Sequence, residues 1–506
     1  MRGFLVFTHM TTHETISHIR KNAAEALMKM LHHPEHVLVV GNLVNALPSP
    51  SNRESLGPFL HGLMGRMAYP AVEIANTYPQ AGIYTYVGGP ITPGEARFLQ
   101  KLNPAGNHHL MIVVEDELVD LSTRDIDTIR QDFKSTPSQG NILRLSRLHE
   151  EQIPPSGRAI LPFISVPSSE YYPIGDVVVG PDASRVALKH VMAISLREKQ
   201  QQELIQEKVV AQGVVLEKEA IQIILDGHYD PDEINSLFDQ LGDSLVLKGT
   251  DGVSGLSVGF LKKDEFVQDP ANLQKLLHKI LKERDGVRIT EVLVDERINI
   301  AIDHMGDRKF NVRSIIDGNG NIIPYAVFRQ LENGVKFVGE ISAFDPQDLG
   351  LTPEEHRKLL RTHVEWAKTA YELGYSGPFS TDILSATDGT FVGVDPNPRY
   401  GGSSVLAVVQ EWYYQTHPRS HFLLDRELTV AHSDESLLSC DEICTLDDRL
   451  RRLGLIPYAT GLMKNGAMKL IVPATKEQIK QLQLTTHEGL TVYLNTLIGE
   501  GKIKLS

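Results

Sequence analysis

Three observations predict an α/β protein of more than one packed unit. The chain has 506 residues, more than one hydrophobic core usually serves. Through its first third, short apolar runs alternate with helical stretches, the order that builds a parallel sheet. Further on, apolar runs joined by Asp-Gly and Gly-rich turns read as antiparallel hairpins. With 41% hydrophobic and 23% charged residues, the composition excludes disordered and fibrous classes.

The charge balance narrows the partners. Fifty Lys plus Arg against 64 Asp plus Glu give a net charge of -14, which argues against a general affinity for nucleic acid or an anionic membrane surface. Any anionic substrate must then be met by a local basic site. The two cysteines, Cys440 and Cys444, cannot build a disulfide framework and read as free thiols. The first ten residues lack a signal-peptide core, and no run approaches the roughly 18 apolar residues of a membrane span, so the expected compartment is the reducing cytoplasm. Twenty histidines, including His9, His13, His32, His33, His36, His108 and His109, carry no metal-binding spacing and read as surface or capping residues.

In order along the chain, residues 37–41, 82–87 and 110–114 are the clearest strands of a first unit that runs to about residue 182. A passage rich in proline, from Pro154 to Pro173, and then Gly180-Pro181 precede a charged helix expected from residue 183 to about 212. Strands, turns and two further helical stretches continue to about residue 416. A small α/β appendage follows to residue 506, with residues 433–448 reading as its linker.

The most informative segment is residues 380–397, two alternating apolar runs around Asp388-Gly389. Taken as a two-residue hairpin turn, this dipeptide pairs Thr387 with Thr390 and, counting outward, sets Asp382 opposite Asp395. At about 5 Å two like charges repel by roughly 3 kcal/mol at an effective dielectric of 20. A divalent cation would offset that cost, and Asn397, on the same strand face as Asp395, adds a neutral oxygen of the kind Mg²⁺ accepts. A solvated acidic edge in another register is the competing reading. Beyond it, Arg399 and a Gly-Gly-Ser-Ser run lead into a helix, which is either an anion site or an ordinary helix start.

Upstream, a strand ends in Lys248 and Gly249 and leads into a loop carrying Gly252, Ser254 and Gly255, then another strand. Small residues let backbone N–H groups approach phosphate oxygens, with Lys248 supplying charge; a plain hairpin is the alternative. The apolar strand 291–297 breaks into acid after Val294, at Asp295 and Glu296, and a hairpin about Asp317-Gly-Asn-Gly-Asn321 carries Arg313 and Arg329.

In this order, Lys248 and its loop, the acidic strand end, the Arg-bearing hairpin, and Asp382 followed by Asp395-x-Asn397-x-Arg399, the chain resembles the ATP-grasp superfamily of ligases over about residues 183–412. Residues 39–43 and 455–460 are similar to the pheganomycin-type peptide ligases within it. The resemblance implies a pre-ATP-grasp α/β domain over 1–182, an ATP-grasp domain of two α+β subdomains clasping ATP over 183–416, and a C-terminal domain over 417–506. It implies that Lys248, Gly249, Gly252, Ser254 and Gly255 meet the phosphates, that Val294, Asp295 and Glu296 hold adenine and ribose, and that Lys199, in preference to Lys189, is a second nucleotide lysine. Asp382, Asp395 and Asn397 would hold Mg²⁺, two ions or Mn²⁺ in its place, although Asp395 stands where the superfamily usually has Glu. Arg313, Arg329 or Arg399 would stabilise the transferring group. The implied activity joins a carboxylic acid to an amine, an amino acid or short peptide, through an acyl phosphate, releasing ADP and phosphate. A kinase using the same cleft and a nucleotide-binding regulator without turnover are the rivals. A homodimer is expected only as the commonest assembly.

Overall fold

The computed structural model describes residues 13–40, 65–86, 91–114, 117–135, 158–162, 177–178, 189–249, 258–282, 291–333, 336–343, 345–401, 404–416, 422–432, 434–499 and 503–505. Among them three sheets carry the fold, and the expected α/β class is the one observed.

The first sheet holds β1 (His36–Val40), β2 (Gly82–Tyr86), β3 (His108–Val114), β4 (Glu117–Asp120), β5 (Arg158–Pro162) and β6 (Val177–Val178) in the order β4-β3-β2-β1-β5-β6. It is parallel except at β4, where β3 turns back on itself. The helices His13–Met30, Ala68–Thr77 and Pro93–Leu102 accompany it. The last begins where the sequence dictates, with Pro93 in its first turn and the Thr92 hydroxyl accepting from the Glu95 N–H. His108 departs from the surface expectation: its ring is buried, bonded to Thr85, and burial pulls its pKa down to about 3.

The second sheet, β7 (Gly213–Glu217), β8 (Ser244–Gly249), β9 (Val258–Lys262) and β10 (Glu291–Glu296), is antiparallel in the order β7-β10-β8-β9. Its inward side chains, among them Leu247 and Val292, pack on Ile221, Phe238 and Leu277 from the helices Lys218–Leu225, Pro231–Leu241 and Ala271–Lys282. The helix expected from 183 to about 212 is described over Lys189–Gln201 and stops there, two residues before Glu203 adopts a left-handed backbone (φ 57°).

After a short ribbon, β11 (Ile302–Asp303) with β12 (Gly306–Asp307), comes the largest sheet. It contains β13 (Lys309–Ile316), β14 (Ile322–Asn333), β15 (Lys336–Ala343), β16 (Gly377–Ser385), β17 (Phe391–Asn397), β18 (Phe422–His432), β19 (Ile456–Tyr458) and β20 (Ala467–Ala474), ordered β17-β16-β13-β14-β15-β18-β20-β19, with β21 (Ile503–Leu505) on β18. The helix Pro353–Glu372, started by a Thr352/Glu355 capping box, lays Leu359, His363, Trp366 and Ala370 toward this sheet. Because β15 pairs with β18, the sheet passes without a break across residue 417. Residues 440–452 correct the linker expectation: they form a helix whose capping box, Ser439 with Glu442, was readable in the sequence. Cys444 faces inward from it, and burial raises its thiol to about 11.

One apolar core fuses the first sheet's helices to the large sheet, joining Ala68 and Val72 to Ala407, Val409 and Tyr458. A buried polar seam fixes the same junction. The Glu95 carboxylate accepts from Tyr69 Oη (3.2 Å), Ala459 N (2.7 Å), Thr460 N (2.8 Å) and Thr460 Oγ1 (2.6 Å). Beside it the Thr92 hydroxyl donates to Asp447 (2.5 Å), whose other oxygen takes Arg451 Nε at 2.8 Å. Ala459 is held left-handed (φ 49°), a strained conformation that these bonds over-determine.

Candidate functional site

Two strands of the large sheet build the centre of the site. The β16–β17 turn is longer than the two-residue expectation: Ala386 and Thr390 close it, and Gly389 (φ 83°) occupies the left-handed position that glycine tolerates best. Near the turn the ladder therefore runs one residue off, pairing Ser385 with Phe391 and Ile383 with Gly393. A bulge at Val394 then adds one residue to β17, so Asp382 does face Asp395, and Ser380 faces Asn397. The bulge has a cause. A Cβ on Gly393 would lie 2.1 Å from Trp366 Nε1, while the Gly393 N–H and the Trp366 indole both donate to Val209 O at 2.9 Å.

Around the two aspartates the sheet supplies donors and positive charge. On neighbouring β13, Asn311 donates to Asp382 Oδ1 at 2.5 Å, and the Asn397 amide lies 3.5 Å from Asp395 Oδ2. Burial lowers the Arg399 pKa, and Asp395 and Asp382 oppose that shift. The guanidinium thus feels both carboxylates and takes part of the offsetting role assigned above to a cation. Arg313, two residues beyond Asn311, donates to Ser404 Oγ at 2.6 Å, at the start of the helix Ser404–Thr416. Its Nη2 lies where a Cβ on Gly401 would fall, 2.5 Å away, so that glycine is required by close approach.

From the second sheet, Lys248 reaches across. Its Nζ lies 3.0 Å from Asp295 Oδ2 and 3.5 Å from the carbonyl of Val394, the bulged residue itself. Asp295 is buried and also takes Arg197 Nη2 at 2.5 Å. Glu296 accepts from Gln212 N (2.6 Å) and Lys208 Nζ (2.8 Å). The segment 208–212 thus touches β10 through Glu296 and β17 through Gly393 and links the two sheets.

Other expected residues fall differently. Val294 is a core side chain of the second sheet, and Gly249 ends β8 opposite Val292. Gly252, Ser254 and Gly255 lie outside the described residues. Lys199 donates to Thr369 Oγ1 at 2.9 Å and pairs with Glu372, so it ties two helices together. Lys189 opens the same helix. Arg329 is fully buried, forked onto both Asp303 oxygens at 2.7 Å and bonded to the carbonyls of Leu349, Gly306 and Asp307. With both Nη groups engaged within the protein, it braces the sheet. Although burial works to raise it, that pairing holds the Asp303 carboxyl below the usual range.

Sequence reasoning missed the groups that the first sheet's helices bring. Burial lowers Arg66 to about 10, with Tyr458 opposing and the Arg399 and Arg313 charges adding to the shift. Arg66 therefore senses both the Arg399 and the Arg313 guanidiniums, with Asp425 among the opposing charges. Burial raises Glu73 to about 7 against the pull of Arg20 and Arg313, so near neutral pH it can take or give a proton. Tyr325, which bonds Arg313, and the buried Tyr375 and Tyr400 complete the surroundings. No local pattern marks Arg66 or Glu73; only tertiary packing puts them here.

Among the described residues no group of three or more His, Cys, Asp and Glu gathers as a metal cage. Two opposed carboxylates with one amide oxygen fit instead a hard cation that keeps waters and substrate phosphates as its other ligands. Among the described residues, too, no helix is long and apolar enough to cross a membrane.

No protein-family model matches the sequence, and no curated protein is significantly similar to it. Among solved structures the chain is similar to the biotin carboxylase domain of a Hydrogenobacter thermophilus 2-oxoglutarate carboxylase in complex with MgADP, ADP and bicarbonate, with 14% identity over 79% of this chain and 76% of that one and a TM-score of 0.43. It is also similar to Staphylococcus aureus N5-carboxyaminoimidazole synthetase complexed with ADP, at 10% identity, 89% and 96% coverage and a TM-score of 0.46. A Campylobacter jejuni biotin carboxylase complex with β,γ-ATP matches at 11% identity, 94% and 92% coverage and a TM-score of 0.45. Likenesses of this extent assign neither family nor activity.

Proposed function

We propose that the protein is an ATP-dependent, ADP-forming carboxylate-amine ligase acting on amino acids or short peptides, of the pheganomycin type. One observation carries the reading: Asp382 and Asp395 face each other across a bulged ladder, and Lys248, from a different sheet, bonds to the carbonyl of the bulge. Charges of both signs from two sheets thereby meet, an arrangement that suits a nucleoside triphosphate.

In the proposed reaction the substrate carboxylate attacks the γ-phosphorus and ADP leaves, giving an acyl phosphate. The amine then adds to the acyl carbon, phosphate leaves with the bonding electrons, and a proton is lost from nitrogen. Lys248 orients and neutralises the phosphates. Arg399 and Arg313, on the large sheet, stabilise the transferring phosphoryl group and the tetrahedral adduct. Mg²⁺, when bound by Asp382, Asp395 and Asn397, supplies charge neutralisation and in-line orientation of the phosphates. Glu73, poised near neutral pH beside Arg313, is suited to accept the amine proton. Arg329 and Lys199 are given no role in these steps: both Arg329 Nη groups bond to Asp303 and backbone carbonyls, and Lys199 bonds to Thr369 and Glu372.

Phosphorus NMR with Mg-ATP and a pool of amino acids and short peptides tests the reading. ADP and phosphate appearing in equal amounts, and only with the pool, are the expected result. ADP with a new phosphoester would make the protein a kinase, and intact ATP with every pool would remove the ligase reading.

A further inference from the structure

A cavity of about 570 Å³ opens where the helices Pro93–Leu102, Ser404–Thr416 and Cys440–Arg452 converge, and none of the site residues described above lines it. Its volume lies in the range of small-molecule sites. We propose that it binds a small anion carrying a flat ring.

The floor is aromatic and fixed. Phe98 meets Trp412 edge-on, with ring centroids 5.1 Å apart at 88°, and the Arg451 guanidinium lies 5.2 Å from the Phe98 centroid. Arg451 is itself locked, donating to Asp447 at 2.8 Å and to Pro457 O at 2.5 Å. A ring laid against the partly exposed Trp412 would find an apolar face with a cation beside it.

The rim is cationic. Arg97 pairs with Asp448 at 2.9 Å, but Lys101 and Arg452 have no ion-pair partner among the described residues and are solvent-exposed. Cations in a last helical turn complement the helix dipole, which accounts for Lys101, Arg451 and Arg452 singly. It does not account for their closing, together with Arg97, on one aromatic cavity in a protein of net charge -14, where Asp447 and Asp448 pair with two of the four cations. A phosphate or carboxylate held by Lys101 and Arg452 would place an attached ring over Trp412.

The chain has two tryptophans, and Trp366 is buried, so Trp412 fluorescence reports the cavity. The full-length protein, with Mg-ADP present, is titrated with phenyl phosphate. Saturable quenching with a Kd below about 1 mM is expected. It should be absent in Trp412→Phe, weakened at least about ten-fold in the Lys101→Ala/Arg452→Ala double variant, and unchanged in Lys248→Ala. Both changes in the double variant are at exposed positions, and its melting temperature serves as the folding control. Linear quenching, equal affinity in the double variant, or loss in Lys248→Ala would overturn the site. Equal affinity for inorganic phosphate would overturn the ring requirement, and binding of polyglutamate or single-stranded DNA in place of phenyl phosphate would overturn the small-molecule assignment.

Discussion

The buried carboxylates of one seam and the half-buried pair on the large sheet are treated in opposite ways. In the seam between the first sheet's helices and the C-terminal strands, Glu95 is wrapped by hydroxyl and backbone N–H donors, and Asp447 is bonded to Thr92 and Arg451. Burial raises the pKa of both acids. On the large sheet, Asp382 and Asp395 are set against each other, with Arg399 and Lys248 arriving from outside the ladder. Acids saturated by fixed donors act as rivets. Acids held in mutual opposition keep a demand for positive charge that a ligand can meet.

The comparison breaks most sharply at Asp395. Asp395→Ala should cut ADP formation by on the order of 10²–10³-fold or more while leaving the melting temperature nearly unchanged, read by a coupled ADP assay beside a thermal melt. The seam should respond in the reverse sense. Glu95→Ala strands the donors of Ala459, Thr460 and Tyr69, at a cost of about 3 kcal/mol or more, and hydrogen exchange should accelerate over 91–102 and 456–465. Retained protection there would show that the apolar core alone holds the junction.

Gly393→Ala probes the device that aligns the aspartates. Its Cβ would collide with the Trp366 indole, so about 1–3 kcal/mol of stability should be lost, with activity falling further than an equally destabilising change elsewhere on the sheet. The smallest effect concerns Glu73. Burial pushes its folded-state pKa up to about 7, above the ordinary 4.5 of a glutamate, so the stability it contributes is fully present below about pH 4.5 and is lost as the pH rises through about 7. Glu73→Gln should flatten that part of the stability profile, and an unchanged slope in urea melts between pH 4.5 and 7 would show that other groups set it.

What could be read from the sequence divides along the same line. The facing of Asp382 and Asp395 was legible from strand parity, yet for an incomplete reason: the turn is one residue longer than Asp388-Gly389 suggests, and the Val394 bulge restores the count. Local chemistry, such as the capping box at Ser439 and Glu442 or the hairpin at 317–321, is written in neighbouring residues. Long-range pairing is not. That Arg329 is spent on Asp303, that Lys199 binds the helix Pro353–Glu372, and that Arg66 and Glu73 join Arg313 depend on partners from tens to hundreds of residues away.

The central claim is that Asp382 and Asp395 form a cation site completed by nucleotide phosphates. The most direct test is electron paramagnetic resonance of Mn²⁺ titrated into the protein with and without ADP, for the wild type and Asp395→Asn. Tight Mn²⁺ binding that requires ADP and is lost in Asp395→Asn is the expected result. Binding that is indifferent to ADP, or unchanged in Asp395→Asn, would contradict it.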